Sequence, residues 1–127
     1  MALRAHQIAL DSIRLLRPLV ERIARHDRSL AEQLRRAASS VVLNIAEGAY
    51  SQGGNGRARF YNAAGSASEA RSALEVAVAW GYVTTPQAAA ASDRLDHVVA
   101  VGCRAVTDQF RMKLCVSRPG MLQFLQH

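Results

Sequence analysis

The stretch "RRAASSVVLNIAEGA", residues 35–49, combines the apolar pattern of a core helix with two polar side chains that such a helix does not need. Its apolar residues recur at helical spacing, namely Ala37, Ala38, Val41, Val42, Ile45 and Ala46. Asn44 is a poor helix former, because its amide competes for backbone hydrogen bonds. Asn44 and Glu47 are three residues apart and therefore share one side of the helix. They are either the solvated edge of this helix or part of a polar network that faces another helix.

The composition predicts a single helical domain over residues 1–127. A chain of this length can bury a hydrophobic core. Half of its residues are hydrophobic, few are aromatic, and proline and glycine are scarce outside residues 51–56. No stretch approaches the roughly 18 apolar residues of a membrane span, and charges spread through the N-terminal residues argue against a signal peptide. We therefore expect no membrane association.

The two cysteines predict a reduced, cytoplasmic protein. Cys103 and Cys115 are twelve residues apart in what reads as one helix, which separates them by about 18 Å along its axis. That distance is too long for a disulfide.

Four helices with short connections predict an all-α, up-and-down four-helix bundle at about residues 3–112, followed by a tail at 113–127. The first helix spans about 3–24, and the second begins at Ser29. The third spans about 57–80, and the fourth runs from Thr85 to about Met112. The predicted inward residues are Ala5, Ala9, Ile13, Leu16, Val20 and Ile23 on the first helix; Leu30, Leu34, Ala37, Val41 and Ile45 on the second; Phe60, Ala64, Ala67, Leu74 and Val78 on the third; and Leu95, Val98, Val99, Ala105 and Val106 on the fourth.

Local signals predict where these helices start and stop. Ser29 and Glu32 have the spacing of a capping box at the start of the second helix. Thr85 is the expected N-cap of the fourth helix, with Pro86 at its first helical position. Gly81 ends the third helix. Pro18 lacks a backbone N–H, so we expect a kink or a break in the first helix.

Two segments outside the predicted helices are also distinctive. "SQGGNG", residues 51–56, reads as a mobile loop because of its glycines. The tail ends in "MLQFLQH", residues 121–127, and its apolar residues either pack back on the bundle or dock on a neighbouring chain.

The second and third helices are apolar on more than one stripe. Val42, Leu43 and Ala46 lie outside the main stripe of the second helix; Ala73, Ala77 and Trp80 lie outside that of the third. A helix that is apolar most of the way round needs a second partner. The pattern therefore predicts a homo-oligomer.

The charge is uneven along the chain. The net charge is +6; residues 1–59 hold ten arginines against five acids, and residues 60–127 hold six basic residues against five acids. Fifteen of the sixteen basic residues are arginine, whose guanidinium can bind phosphate through two hydrogen bonds. The same composition also fits a solvated surface in a protein from a GC-rich genome, so charge alone leaves both interpretations open.

Polar residues of the second helix lie in one narrow arc: Gln33, Arg36, Ser40, Asn44 and Glu47. The third helix offers a matching group in "GSASE", residues 65–69, where Gly65 would permit the close approach of another helix.

Five short motifs carry a resemblance to a known family: "QLRRA" at 33–37, "NIAEG" at 44–48, "RF" at 59–60, "GSASE" at 65–69 and "GYV" at 81–83. Their order and spacing resemble the signature of the four-helix bundle family of 23S rRNA-intervening-sequence proteins. That family also takes in the accessory variability determinant, the basic partner of reverse transcriptases in diversity-generating retroelements. The resemblance covers roughly residues 5–112. It implies a four-helix bundle that assembles into a homopentameric ring with a basic surface.

The resemblance also implies a role for the polar arc. It suggests a partly buried network between the second and third helices, formed by Arg36, Asn44, Glu47, Ser66 and Glu69. A buried carboxylate is costly unless it is paired, and Arg36 is the nearest cation on the same arc. We interpret the network as structural, fixing register and subunit geometry.

The sequence shows no catalytic or metal-binding pattern. A di-iron bundle needs Glu-x-x-His pairs, and the chain contains none. Asp93, Asp96 and His97 read as an acidic patch on the fourth helix, with His97 at the surface or at an interface. We therefore expect no enzyme activity, no cofactor and no metal.

Two functional hypotheses remain. The first is a sequence-nonspecific nucleic-acid-binding or ribonucleoprotein accessory protein, with itself, RNA or DNA, and a reverse transcriptase as candidate partners. Its candidate nucleic-acid-binding residues are Arg14, Arg17, Arg25, Arg28, Arg57 and Arg59. With no recognition-helix motif and few aromatics to stack on bases, such binding would be directed to backbone and shape. The alternative is a purely structural or protein-binding oligomer whose charge is incidental.

Overall fold

The computed structural model describes residues 2–50 and 54–110, and these form four α-helices and no strand. The helices are α1 (Ala2–Ala24), α2 (Arg28–Tyr50), α3 (Gly54–Ala79) and α4 (Thr85–Phe110). Each helix packs on its neighbour in the chain, and α1 also packs on α4, which closes the bundle. The all-α four-helix prediction is confirmed. Met112 and the tail lie outside the described residues.

The predicted inward faces are largely confirmed. All five predicted core residues of α2 are buried. The predicted core residues of the other helices are buried or half-buried wherever their side chains are described. The largest fully buried side chains include Leu16, Ile23, Leu34, Val41, Ile45, Leu74, Leu95 and Val98.

α1 continues through Pro18 as one helix, so of the two expected outcomes the break is wrong and a kink stays a prediction. Pro18 removes the hydrogen bond to the carbonyl of Arg14. Both residues are exposed, so water can solvate that carbonyl. Leu16 and Leu19, on either side of Pro18, are buried in the core and hold the helix against the bundle.

Both predicted N-caps are one or two residues too late. The backbone N–H of Leu30 donates to Oδ1 of Asp27 at 3.0 Å, so Asp27, not Ser29, caps α2. At α4, the N–H of Gln87 donates to Oγ1 of Thr84 at 3.3 Å, and the N–H of Thr84 donates to Oε1 of Gln87 at 2.9 Å. These reciprocal bonds form a capping box. Thr85 is therefore the first helical residue rather than the cap.

α3 begins inside the predicted glycine loop. Gly54, Asn55 and Gly56 are helical, which corrects the predicted loop boundary, and residues 51–53 lie outside the described residues. Gly56 is also buried. At the other end Gly81 terminates the helix as predicted, with a positive φ of 81°.

The second apolar stripes are mostly covered within the subunit. Val42, Ala73 and Ala77 are buried, because α2 and α3 each pack on two neighbouring helices rather than one. These residues need no second subunit to cover them, so the prediction that they face a neighbouring subunit is wrong. Leu43 and Trp80 remain exposed, at 60% and 70% of their full accessible surface. The oligomer stays a prediction, supported by fewer residues.

The glycine at which helices approach closely is Gly48, not Gly65. A Cβ atom on Gly48 would lie 3.2 Å from Cβ of Arg59 and 3.4 Å from the carbonyl oxygen of Gly56. Gly65 is exposed and would have nothing within 4 Å of an added Cβ atom among the described residues. The N-terminal part of α3 therefore packs on the C-terminal part of α2 at Gly48.

A buried ion pair joins α3 to α4. Nη1 of Arg71 donates to Oδ1 of Asp96 at 2.8 Å, and Nε of Arg71 lies 3.5 Å from Oε1 of Glu75. Asp96 is buried and Arg71 is mostly buried. Asp96 therefore does not belong to a surface acidic patch with Asp93 as predicted: Asp93 is exposed on the same helix.

Candidate nucleic-acid interface

Two chain turns meet at one end of the bundle, which we call the turn end and define as residues 22–28 and 80–84. The imidazole of His26, between α1 and α2, stacks on the ring of Tyr82, between α3 and α4. The ring centroids are 5.1 Å apart and the planes are 4° from parallel. This contact joins the two turns directly.

Backbone hydrogen bonds fix the geometry of the second turn. The N–H of Tyr82 donates to the carbonyl of Ala77 at 2.9 Å, and the N–H of Gly81 donates to the carbonyl of Val78 at 2.9 Å. This is a Schellman motif, which requires the left-handed conformation that Gly81 adopts. It places Tyr82 against both His26 and Trp80, whose ring lies 6.5 Å from that of Tyr82 between centroids.

Three arginines of the turn end have no acidic partner. Arg22, Arg25 and Arg28 are exposed, and their side chains form no ion pair or hydrogen bond within residues 2–50 and 54–110. The acid between them, Asp27, is used by the backbone N–H of Leu30. The turn end therefore carries positive charge that the fold leaves available to a ligand.

Arg14 and Arg17, predicted to bind nucleic acid, lie on the exposed side of α1 and are paired with acids. Nη1 of Arg14 lies 2.8 Å from Oδ1 of Asp11, and Nε of Arg17 lies 3.6 Å from Oε1 of Glu21. Exposed pairs of this kind are weak. They still reduce the local positive field, so this side of α1 attracts phosphate less than the turn end does.

Arg57 and Arg59 lie near the opposite end of the bundle. Nε of Arg59 is 3.1 Å from Oε2 of Glu47, near the C-terminus of α2. Arg28 begins α2, and nineteen residues separate it from Glu47, which corresponds to about 28 Å along the helix. Arg57 is half-buried. The six predicted arginines therefore do not form one surface, and only Arg25 and Arg28 lie at the turn end.

Arg22 was missed by the sequence prediction. It lies in the last turn of α1, three residues before Arg25 in the following turn, and this proximity in sequence was the available signal. What the sequence could not show is which arginines lack acid partners, because that depends on how side chains meet on the folded surface.

A polar network does connect α2 to α3, but with different members. The hydroxyls of Ser40 and Ser66 are 2.8 Å apart, and Nδ2 of Asn44 donates to the carbonyl and to Oγ of Ser40 at 2.9 and 3.0 Å. Arg59 contacts Oδ1 of Asn44 at 3.5 Å as well as Glu47. The cation of this network is therefore Arg59.

Two predicted members lie elsewhere. Nε of Arg36 is 3.0 Å from Oε1 of Glu32, one turn away on its own helix. Arg35 hydrogen-bonds the same carboxylate, and this bond is the main reason that the pKa of Glu32 falls below its ordinary value, with Arg36 adding to the effect. Glu69 is exposed and makes no ion pair or hydrogen bond with the part of the chain that the structure describes. The carboxylate of Glu47 is also more than half exposed, so the network buries hydroxyls and an amide rather than carboxylates.

No metal or membrane feature emerges from the described residues. They contain no group of three His, Cys, Asp or Glu side chains placed to hold a metal ion. None of the four helices, as far as they are described, is long and apolar enough to cross a membrane.

Comparison with known proteins places the chain in a family. The sequence model of the 23S rRNA-intervening sequence protein family matches residues 2–101 of the 127-residue chain. The matched region contains α1, α2, α3 and most of α4. The chain therefore belongs to this family, which confirms the resemblance carried by its five motifs. No curated protein and no solved structure matches the chain.

Proposed function

We propose that this chain is a cytoplasmic, non-enzymatic, oligomeric protein that binds nucleic acid without sequence preference, as an accessory to a ribonucleoprotein. The observation that carries the proposal is the group of unpaired arginines at the turn end, Arg22, Arg25 and Arg28. The description of its family, which refers to ribosomal RNA, supports an RNA-related role.

The chemistry of these side chains favours phosphate as the ligand. Guanidinium groups bind phosphate through paired hydrogen bonds, and release of counterions from the nucleic acid drives such binding. Phosphate contacts carry no sequence information. A protein that holds nucleic acid mainly through these arginines therefore binds many sequences with similar affinity.

Assembly would strengthen this binding. One turn end offers three unpaired arginines, which supports only a few phosphate contacts. A closed ring, such as the pentamer that the family resemblance implies, repeats the turn end in each subunit. Contacts made by several subunits to one strand act at high effective concentration. We therefore expect the assembled protein to bind much more tightly than its subunit.

A matched pair of variants tests the proposal. The first replaces the unpaired arginines of the turn end, Arg22, Arg25 and Arg28, with glutamine. The second removes the same number of charges from ion-paired positions, Arg14, Arg17 and Arg36. Titration with a fluorescent single-stranded RNA should show a large loss of affinity in the first variant and a small loss in the second. Equal losses would mean that net charge alone matters, and no binding by the unaltered protein would refute the proposal.

The alternative function, a structural or protein-binding oligomer, is favoured by a different observation. Leu43 on α2 and Val76 on α3 are exposed, at 60% and 43%. Exposed apolar side chains of this size can form a protein interface. The same RNA titration separates the two functions, because a scaffold would not bind RNA even at low salt.

A further inference from the structure

Trp80 is the most exposed large hydrophobic side chain that the structure describes, at 70%. It directly follows α3 and precedes Gly81, so its backbone position is fixed by the Schellman motif. The backbone of Trp80 is therefore held in place, while much of the indole surface remains exposed to solvent. An exposed aromatic ring on a rigid support is a stacking platform.

The ring of Trp80 is the outer member of a row of three. Its plane is 17° from that of Tyr82, with centroids 6.5 Å apart, and Tyr82 in turn stacks on His26. Both spacings fall within the range of offset-stacked aromatic pairs. Stacking with Tyr82 on one face orients the indole of Trp80.

The same row leads to the unpaired arginines. His26 follows Arg25 in the chain, and Arg22 and Arg28 flank the same turn. Proteins that bind single-stranded nucleic acid combine cationic side chains for the phosphates with aromatic rings for the bases. We propose that the turn end binds single-stranded nucleic acid with an unpaired base stacked on Trp80 and adjacent phosphates bound by these arginines. This inference rests on the proposed function and adds a base contact, which the sequence did not predict.

A nucleic-acid base suits this surface better than a second protein does. Val76 lies on α3, one turn before Trp80, and is partly exposed. The two side chains together would form an apolar patch for a protein partner. A protein partner would have to pair or desolvate the three guanidinium groups at the turn end, which have no ion-pair partner among the described residues. A single-stranded nucleic acid supplies both the phosphates for the guanidinium groups and a base for the indole.

The intrinsic fluorescence of the protein makes the test direct, because Trp80 is its single tryptophan. The probes are a twelve-nucleotide oligoadenylate as RNA, the same sequence as DNA, and a ribose-phosphate strand of the same length without bases. All three carry the same number of phosphates. We expect saturable quenching of Trp80 by the two strands that carry bases, and affinity about tenfold higher for them than for the abasic strand.

Two substitutions complete the test. Because both variants lack tryptophan, their affinities are measured from the fluorescence anisotropy of end-labelled strands. Trp80→Ala should lose the tenfold advantage of base-carrying strands while retaining abasic binding. Trp80→Phe, which keeps an aromatic ring, should retain most of the advantage. Leu15→Ala serves as the control, because it removes another exposed apolar side chain on a different helix, α1, and should leave the advantage unchanged. Circular dichroism shows whether each variant keeps its fold, and light scattering shows whether it keeps its oligomer mass.

Three results would overturn the inference. If oligoadenylate and the abasic strand bind the unaltered protein equally, the arginines act alone, and the proposed function stands without a base contact. If neither strand binds, the proposed function fails as well. If Trp80→Ala keeps the fold but changes the oligomer mass, Trp80 belongs to an interface between subunits or with another protein.

Discussion

The imidazole of His26 and the ring of Tyr82 lie stacked with their centroids 5.1 Å apart, although the two residues are far apart in the chain. The contact unites two turns into one surface. Through it the unpaired arginines of the first turn and the exposed Trp80 of the second become parts of the same end of the bundle. The proposed nucleic-acid site depends on this juxtaposition.

The ion pair between Arg71 and Asp96 should be a strong determinant of stability. Arg71→Leu leaves the buried carboxylate of Asp96 without this partner, so we expect a loss of about 3 kcal/mol in the free energy of unfolding, near the lower end for buried pairs because Arg71 is partly exposed. Urea denaturation measures it. The double variant Arg71→Leu/Asp96→Leu should recover much of the loss.

A control separates the ion pair from the general effect of losing an arginine. Arg94 is exposed on α4, so Arg94→Leu should change stability by no more than about 0.5 kcal/mol. Similar losses for the Arg71 and Arg94 variants would show that the buried pair contributes little.

Two glycines of the described helices should respond oppositely to alanine. Gly65→Ala should stabilise the protein by about 0.5–1 kcal/mol, because it improves helix propensity at an exposed position with free space. Gly48→Ala has the same propensity gain, but its Cβ atom would lie 3.2 Å from Cβ of Arg59. We expect the crowding to cancel or reverse the gain. Thermal unfolding of the two variants decides the point, and equal stabilisation would show that α2 and α3 separate freely there.

The polar network should depend on its amide more than on its carboxylate. Asn44→Leu removes the hydrogen bonds to Ser40, and we expect it to cost about 1–2 kcal/mol. Glu47→Leu alters a half-exposed ion pair with Arg59, which should cost less than about 1 kcal/mol. Chemical denaturation of both variants tests the order. Wild-type stability of Asn44→Leu would identify Asn44 as part of a solvated helix edge.

The predicted oligomer can be tested at Leu43. We expect light scattering to give a mass about five times that of the 13.8 kDa chain. Because Leu43 is exposed on the subunit surface, Leu43→Glu should dissociate the assembly without unfolding the subunit. Gln33→Glu, an exposed substitution on the same helix, is the control and should leave the mass unchanged. A monomeric wild-type protein would contradict the prediction.

The four helices and their inward faces were predictable because apolar spacing alone encodes them. The N-caps were less predictable, because Asp27 and Ser29 are both good capping residues. Only the hydrogen bond that the N–H of Leu30 donates to the Asp27 carboxylate decides between them. The ion pair of Arg71 with Asp96 joins residues of different helices. Its existence depends on how α3 and α4 pack, which no local pattern specifies.

The candidate site, like the fold, could be predicted only in part from the sequence. The excess of arginine in the first half of the chain was evident from the sequence, and Arg25 and Arg28 were selected correctly as exposed residues. The apolar character of Trp80 alone predicts a place in a subunit interface, so its position beside these arginines was not predictable. Its relation to the arginines appears only when the two turns meet through His26 and Tyr82.

The most direct test of nucleic-acid binding at the turn end is the salt dependence of affinity for single-stranded RNA. Each phosphate contact contributes about 0.7 to the slope of log affinity against log salt. We expect a steep slope for the unaltered protein. Replacement of Arg22, Arg25 and Arg28 by glutamine should reduce it by about 2 for each turn end in contact with the strand. An unchanged slope in that variant, or no binding at low salt, would contradict nucleic-acid binding by the arginines of the turn end.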